Sequence, residues 1–388
     1  MSKKYLRWSK VPYAGESRPP GNAVTSNAGS WSLTYLKRNR KGDFLNPKGV
    51  KMHLPIKHPD HIDFENELKI VQSTLRNLTP IQEKIGIFYG TGVPTKQWTP
   101  VIDRLIDSYG VSPVYAARIL TAVQGAVNDT MIVVWDYKYK WDTARPNQYD
   151  HKMDTILCTP RFPTYPSGHA SMSGCSEVLL SYFFPGEAKK LRKFAEDDSV
   201  SRLYAGVHFP IDNTEGLKLG RFIGKVVVDH LKTQRNPNHT PIDTPYREYR
   251  NADFFADDFN QFIPYDFTDD CSSRVKGKDK DREKYSYRDS DKLKDKEKHS
   301  YEGKDKIKDN SRDKHKSVGS DTYKNLYSDN KRDIERYNNR HDDVYSDKDK
   351  FKDIESSIDS EKHNDKAESS SHQNRRSPHP FFNFKNLF

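Results

Sequence analysis

The sequence predicts an all-α body followed by a disordered charged tail. Three observations carry this. Apolar residues recur at helical spacing from about residue 63 onward, and helix-start signals punctuate the same stretch. No alternating strand pattern of comparable strength occurs. From Ser272 to Phe388 the chain becomes Lys/Asp/Ser/Tyr low complexity, with too few apolar residues to offset the entropy of ordering it.

Taken in order, residues 1–60 are rich in Pro, Gly, Asn and Lys and lack a sustained period. They read as an irregular arm on the body, with Trp8, Trp31, Tyr35 and Leu36 as candidate anchors. The helical domain spans 61–235. Its first helix covers Asp63 to Leu78, with Phe64, Leu68, Val71 and Leu75 on one face. Thr79-Pro80-Ile81-Gln82 is a capping box with proline at the first helical position. Thr99-Pro100 and Ser112-Pro113 repeat the cap-then-proline start. The helix after Ser112 is long and apolar on more than one side, as a central helix should be.

Pro146 stops helix at that point and puts Arg145 in an extended or turn conformation, and a polar loop over 147–161 follows. Tyr165-Pro166-Ser167-Gly168-His169-Ala170 then opens a helix that Pro185-Gly186 ends. Another helix runs from Glu187 to Tyr204. Asp212-Asn213-Thr214-Glu215 reads as an N-cap with Glu at the third position, opening a last helix to about Lys232. Residues 236–271 are a surface strap and 272–388 the tail.

The 388 residues carry a net charge of +10, of which the tail holds about half. Neither part is a concentrated basic patch, which argues against a nucleic-acid partner. No run of about 20 apolar residues exists to span a membrane. The first residues lack the apolar run of a signal peptide, so the expectation is a cytoplasmic protein. Three cysteines, Cys158, Cys175 and Cys271, have no CxxC spacing and support neither a disulfide framework nor a zinc site.

Three segments carry the chemistry. Lys138 is followed by Arg145-Pro146; then comes Pro166-Ser167-Gly168-His169; then Ser201-Arg202, His208 and Asp212. Singly, each residue has an ordinary reading: a solvated lysine, a helix-face arginine, an N-cap aspartate, a core histidine. Jointly they assemble a pocket for a tetrahedral oxyanion of more than one charge. Arginine supplies forked donors, lysine a point charge, and the helix N-terminus free amides. Two histidines add what mere binding does not need, one to bond the central atom and one to move protons.

These segments resemble the three-part signature shared by type 2 phosphatidic acid phosphatases, bacterial non-specific acid phosphatases and vanadium-dependent haloperoxidases. The resemblance covers roughly residues 60–235, and no specified position is missing. It implies a helical bundle with the oxyanion site at its centre, in which Lys138, Arg145, Ser167, Gly168 and Arg202 hold the oxyanion and His208 bonds phosphorus or vanadium. It further implies that Asp212 orients His208 and that His169 is the acid–base group. Trp135 and Phe162 are similar to aromatic positions on the halide side of the chloroperoxidase pocket. The expected function is therefore haloperoxidase-like, with a vanadate cofactor and hydrogen peroxide and halide as small-molecule substrates. The alternative is a cofactor-free soluble acid phosphatase, acting on phosphomonoesters through a phosphohistidine. A non-catalytic surface or matrix protein is a third, weaker alternative.

Overall fold

Helix α4, Pro113–Trp141, is the 29-residue axis on which the other elements are arranged. The computed structural model describes residues 4–255, 259–261 and 271, all within one unit, 1–291. The tail expected to be disordered lies outside the described residues. The remaining helices are α1 Phe64–Arg76, α2 Pro80–Gly90, α3 Thr95–Ser108, α5 Pro146–Tyr149, α6 Gly168–Phe183, α7 Ala188–Tyr204 and α8 Pro210–Leu231. Two short antiparallel strands, β1 Lys37–Arg38 and β2 Phe44–Leu45, pair in the arm, with Lys37 opposite Leu45 and Arg38 opposite Phe44. The described residues are mostly helical, in keeping with the expected all-α class. Among the described residues no helix is long and apolar enough to cross a membrane.

Most helix starts follow local chemistry. The Asp63 carboxylate accepts the Asn66 amide ahead of α1, whose Phe64, Leu68 and Val71 are buried. The Thr79–Gln82 capping box forms at α2. Pro113 is the first residue of α4, and Asp142 ends that helix in the left-handed region at φ 57°.

Several expectations are corrected. Helix α3 begins at Thr95, and Pro100 lies inside it. The extra turn is held from outside the segment: the Gln97 amide donates to Phe88 O and Thr91 O, and the Trp98 indole donates to Ser173 Oγ. These buried bonds outweigh the local preference to start at proline. Pro146 ends no helix; it opens α5 at the first position, a turn inside the supposed polar loop, while Arg145 takes the extended one of its two expected conformations (φ −79°, ψ 159°). Asp212 is not an N-cap but the third residue of α8, which starts at Pro210. Trp31, proposed as an anchor, is 51% exposed, whereas Trp8 and Leu36 are buried.

The arm explains why α4 is apolar all round. Leu36 and Phe44 pack with Ile132, Val133 and Val134 of α4 and with Leu219 and Ile223 of α8. The buried Asp129 carboxylate accepts the amides of Thr34, Tyr35 and Leu36 at 2.6–2.8 Å. At the C-terminal end of α4, Asp142 accepts from Arg7 Nε and from the amide and hydroxyl of Ser9.

Helices α6 and α8 approach backbone to backbone. A Cβ on Gly220 would lie 1.8 Å from Ser171 O, and one on Gly216 2.8 Å from Ser167 O. This closeness brings the N-terminus of α8 against that of α6. Cys158 and Cys271, 113 residues apart, form a disulfide, which corrects the expectation that the cysteine spacing supports no disulfide framework. Local spacing carries no information about a pair joined through space. Only Cys175 is free, and it is buried in α6.

Candidate functional site

The residues singled out in the sequence converge from five elements. The C-terminal half of α4 supplies Trp135 and Lys138, and the residue before α5 supplies Arg145. The N-terminus of α6 supplies Ser167, Gly168 and His169. The end of α7 and the turn after it supply Arg202 and His208, and the first turn of α8 supplies Asp212. Lys138, Arg145, Ser167 and Asp212 are fully buried, and Arg202 and His208 nearly so.

His208 is the best-defined group. Its Nδ1 lies 2.9 Å from Asp212 Oδ2, and its Nε2 lies 2.9 Å from Arg145 Nη1. Guanidinium can only donate, so Nε2 carries a lone pair and Nδ1 carries the proton given to Asp212. Asp212 can serve because its place in α8 returns the carboxylate toward the helix start, where it also accepts the Phe209 amide at 3.0 Å. Ser167 N donates to Asp212 O at 3.0 Å, joining the two helix starts.

The cations are held by backbone carbonyls. Lys138 Nζ donates to Pro163 O at 2.8 Å and Thr164 O at 2.6 Å. Arg145 donates to Phe162 O through Nε and to Val207 O through Nη1, and its buried Nη2 has no hydrogen-bond partner among the described residues. Arg202 donates to Gly86 O and Ser201 Oγ. His169, partly exposed at the edge, places Nε2 3.2 Å from Tyr89 O. That carbonyl accepts the Nε2 proton and leaves Nδ1 as the acceptor. The Ser167 hydroxyl is the N-cap of α6, accepting from Ala170 N at 3.4 Å.

Crowding like charges away from water shows in the acidities. Burial, and then Arg145, pushes Lys138 well below an ordinary amine, while burial lowers Arg145 and Arg202 to about 10. Burial pushes His208 well below the usual imidazole value, with Arg145 and Lys138 adding to the effect. Burial and Arg202 do the same to His169. Asp212 is raised to about 7 by burial, against the opposing hydrogen bonds from Thr164 and the Phe209 amide. Asp198, one turn before Arg202, is raised to about 6 by burial. Three buried cations thus face carboxylates that are themselves driven toward protonation. An oxyanion would relieve this imbalance, and the unpartnered Nη2 of Arg145 is a donor to receive it.

One wall is aromatic. The Trp135 and Phe162 rings lie 5.0 Å apart, and Phe162 lies 5.2 Å from Lys138 Nζ and 4.9 Å from Arg145 Cζ. A Cβ on Gly168 would sit 3.6 Å from the Trp135 ring, so the indole lies over the start of α6.

Sequence reasoning missed Thr164, whose hydroxyl lies 2.5 Å from Asp212 Oδ2 and 3.1 Å from His208 Nδ1. Its only signal was a buried-type hydroxyl two residues before Pro166. It also missed the carbonyls of Tyr89, Pro163 and Val207, which no side-chain pattern announces.

Residues 115–235 match the family model of the PAP2 superfamily. The match takes in every candidate site residue named above from Trp135 to Asp212, and it agrees with the resemblance read from the three segments. Similar solved structures include a bacterial vanadium-dependent iodoperoxidase, at 21% identity and a TM-score of 0.46, covering 60% of this chain and 62% of that one. An apo bacterial vanadium-dependent chloroperoxidase is 14% identical, with a TM-score of 0.44 and coverage of 58% and 62%. A transmembrane PAP2-type phosphatidylglycerolphosphate phosphatase from Bacillus subtilis is 17% identical, with a TM-score of 0.35 and coverage of 44% and 87%. The chain thus spans less than two thirds of the length of either peroxidase. No curated protein matches it.

Proposed function

We propose that this chain is a vanadium-dependent haloperoxidase-like enzyme of the PAP2 superfamily, with vanadate held on His208 and with hydrogen peroxide and halide as substrates. The observation that carries the reading is the state of His208: a neutral imidazole with Nδ1 fixed by Asp212 and the Nε2 lone pair turned toward Arg145. A fixed lone pair among three cations is what a ligand to the central atom of an oxyanion requires.

Lys138, Arg145 and Arg202 would take the oxygens of the anion, with the Gly168 amide and Ser167 at the positive end of α6. Bound vanadate would supply Lewis-acid activation of peroxide toward two-electron oxidation of halide. His169 is the group placed to move the proton. With Nε2 donated to Tyr89 O and the ring kept neutral by burial and the cations around it, Nδ1 is a free base at the pocket edge. That state suits accepting a proton from peroxide better than donating one to a leaving alcohol, although a bound polyanion would offset part of the bias. The Trp135–Phe162 wall adds an apolar, polarisable face beside the cations, suited to a weakly hydrated halide.

The test is a pair of assays on the same preparation. Protein loaded with orthovanadate should brominate a phenol dye when given bromide and peroxide, with iodide turned over more readily and chloride less. Without vanadate it should hydrolyse p-nitrophenyl phosphate slowly at most. Fast phosphate turnover without halogenation would transfer the same residues to a phosphomonoesterase, with His208 as nucleophile and His169 as acid.

A further inference from the structure

We infer that Thr164 is a positioning residue, whose hydroxyl fixes the ring plane and tautomer of His208 and so aims its Nε2 lone pair into the pocket. The inference rests on the proposed role of His208 as ligand to the oxyanion.

The geometry is closed on every side except one. Asp212 Oδ2 receives three donors: the Thr164 hydroxyl at 2.5 Å, His208 Nδ1 at 2.9 Å and the Phe209 amide at 3.0 Å. Asp212 Oδ1 has no partner among the described residues. Rotation of the carboxylate about Cβ–Cγ is therefore resisted only through Oδ2. One of the three donors is the imidazole that must itself be held, which leaves the backbone amide and the threonine hydroxyl to hold the carboxylate. Thr164 Oγ1 also stands 3.1 Å from His208 Nδ1. Its proton is committed to Asp212, so it turns lone pairs toward the ring. Nδ1 then faces two acceptor oxygens and must carry the hydrogen, which leaves Nε2 free to accept from Arg145.

Thr164 is itself rigid. It is fully buried, its amide donates to Thr143 O at 3.0 Å, and its carbonyl accepts Lys138 Nζ at 2.6 Å. A β-branched side chain has little freedom about χ1, so a fixed backbone fixes the hydroxyl. One residue therefore ties an oxyanion-binding cation, through its carbonyl, to the aspartate–histidine pair, through its hydroxyl. No other described side-chain hydroxyl contacts either Asp212 Oδ2 or His208.

The experiment uses the full chain with ¹⁵N-labelled histidine at one neutral pH, in wild type, Thr164→Val, Thr164→Ala and Thr164→Ser. Wild type without vanadate should show His208 as a single tautomer with Nδ1 protonated. Val and Ala should show mixed or averaged tautomers, and Ser should return the wild-type pattern. In parallel, orthovanadate should bind Val and Ala about tenfold more weakly, with Ser within about twofold of wild type. Wild-type signals in both Val and Ala would overturn the inference. So would an Nε2-protonated His208 in wild type, a result that stands even if the hydroxyl-free variants do not fold. Equal impairment in Ser and Val would assign the effect to packing and overturn it as well. Failure of wild type to bind vanadate would sink the proposed function, while the tautomer signals would still decide the role of Thr164.

Discussion

Asp129 and Asp212 are both fully buried carboxylates, one in the middle of the long helix and one at the start of the last. Asp129 meets three backbone amides of the arm, and both of its oxygens are used. Asp212 spends Oδ2 on three donors and leaves Oδ1 without a partner among the described residues, and Arg145, which bonds the same His208, has a spare Nη2. The first arrangement is complete and holds the fold together. The second has valence left over, and only a ligand or water can use it. The contrast is local: Asp129 is saturated inside the chain, whereas the spare donor Arg145 Nη2 and the spare acceptor Asp212 Oδ1 both belong to residues that bond His208.

The sharpest way to break the comparison is to remove the ligand atom. His208→Ala should abolish orthovanadate binding together with whichever activity the wild type shows, with folding intact by circular dichroism. His169→Ala, at the edge of the same pocket, should retain vanadate with weaker affinity and slow turnover about 10²–10⁴-fold. Similar vanadate affinity in the two variants would erase the division of labour between them.

On the structural side, Asp129→Ala should cost about 3 kcal/mol of unfolding free energy, because the arm amides lose a charged acceptor. The fraction that remains folded should keep its vanadate affinity, as measured by urea denaturation and titration on one preparation. If affinity fell as far as stability, the two carboxylates would not be separable in function.

These examples show what could be read from the chain. Phe64, Leu68 and Val71, Ser112-Pro113 and the Thr79 capping box were legible because each depends on neighbours within one or two turns. The candidate site residues stood out as a set through their types and order, and the structure brings Lys138, Arg145, Arg202, His169, His208 and Asp212 within electrostatic reach of one another. The start of α3 was not, since the buried bonds of Gln97 and Trp98 come from α2 and α6. Asp212 was misplaced by three residues because Asp-Asn-Thr-Glu satisfies the local capping rule, while Pro210 set the true start. Asp129, Thr164 and the Cys158–Cys271 bond are meaningful only through partners 44 to 113 residues away.

A smaller effect tests how closely the two helix starts must approach. Gly220→Ala places a methyl group against the Ser171 carbonyl, where backbone cannot yield cheaply. It should cost about 1–3 kcal/mol and, by parting α6 from α8, also weaken vanadate binding, unlike the Asp129 variant. Thermal unfolding and titration would check both effects.

The smallest effect concerns acid. His169 has a folded-state pKa below its unfolded value, so below pH about 6.5 the unfolded chain binds more protons there. This histidine therefore contributes a loss of stability as pH falls through 6.5 toward the depressed pKa, and nothing above that window. His169→Gln should narrow the stability gap between pH 7.5 and 5.5 relative to wild type while leaving the pH 7.5 value nearly unchanged. An unchanged gap would mean that the ring is not held neutral.

The central claim is that spare valence among Lys138, Arg145, Arg202 and His208 constitutes a tetrahedral oxyanion site. Isothermal titration of orthovanadate into wild type and His208→Ala tests it most directly. The account predicts one site per chain in wild type, competed by phosphate, and no saturable heat in the variant. Absence of binding to wild type, or equal binding to both proteins, would contradict it.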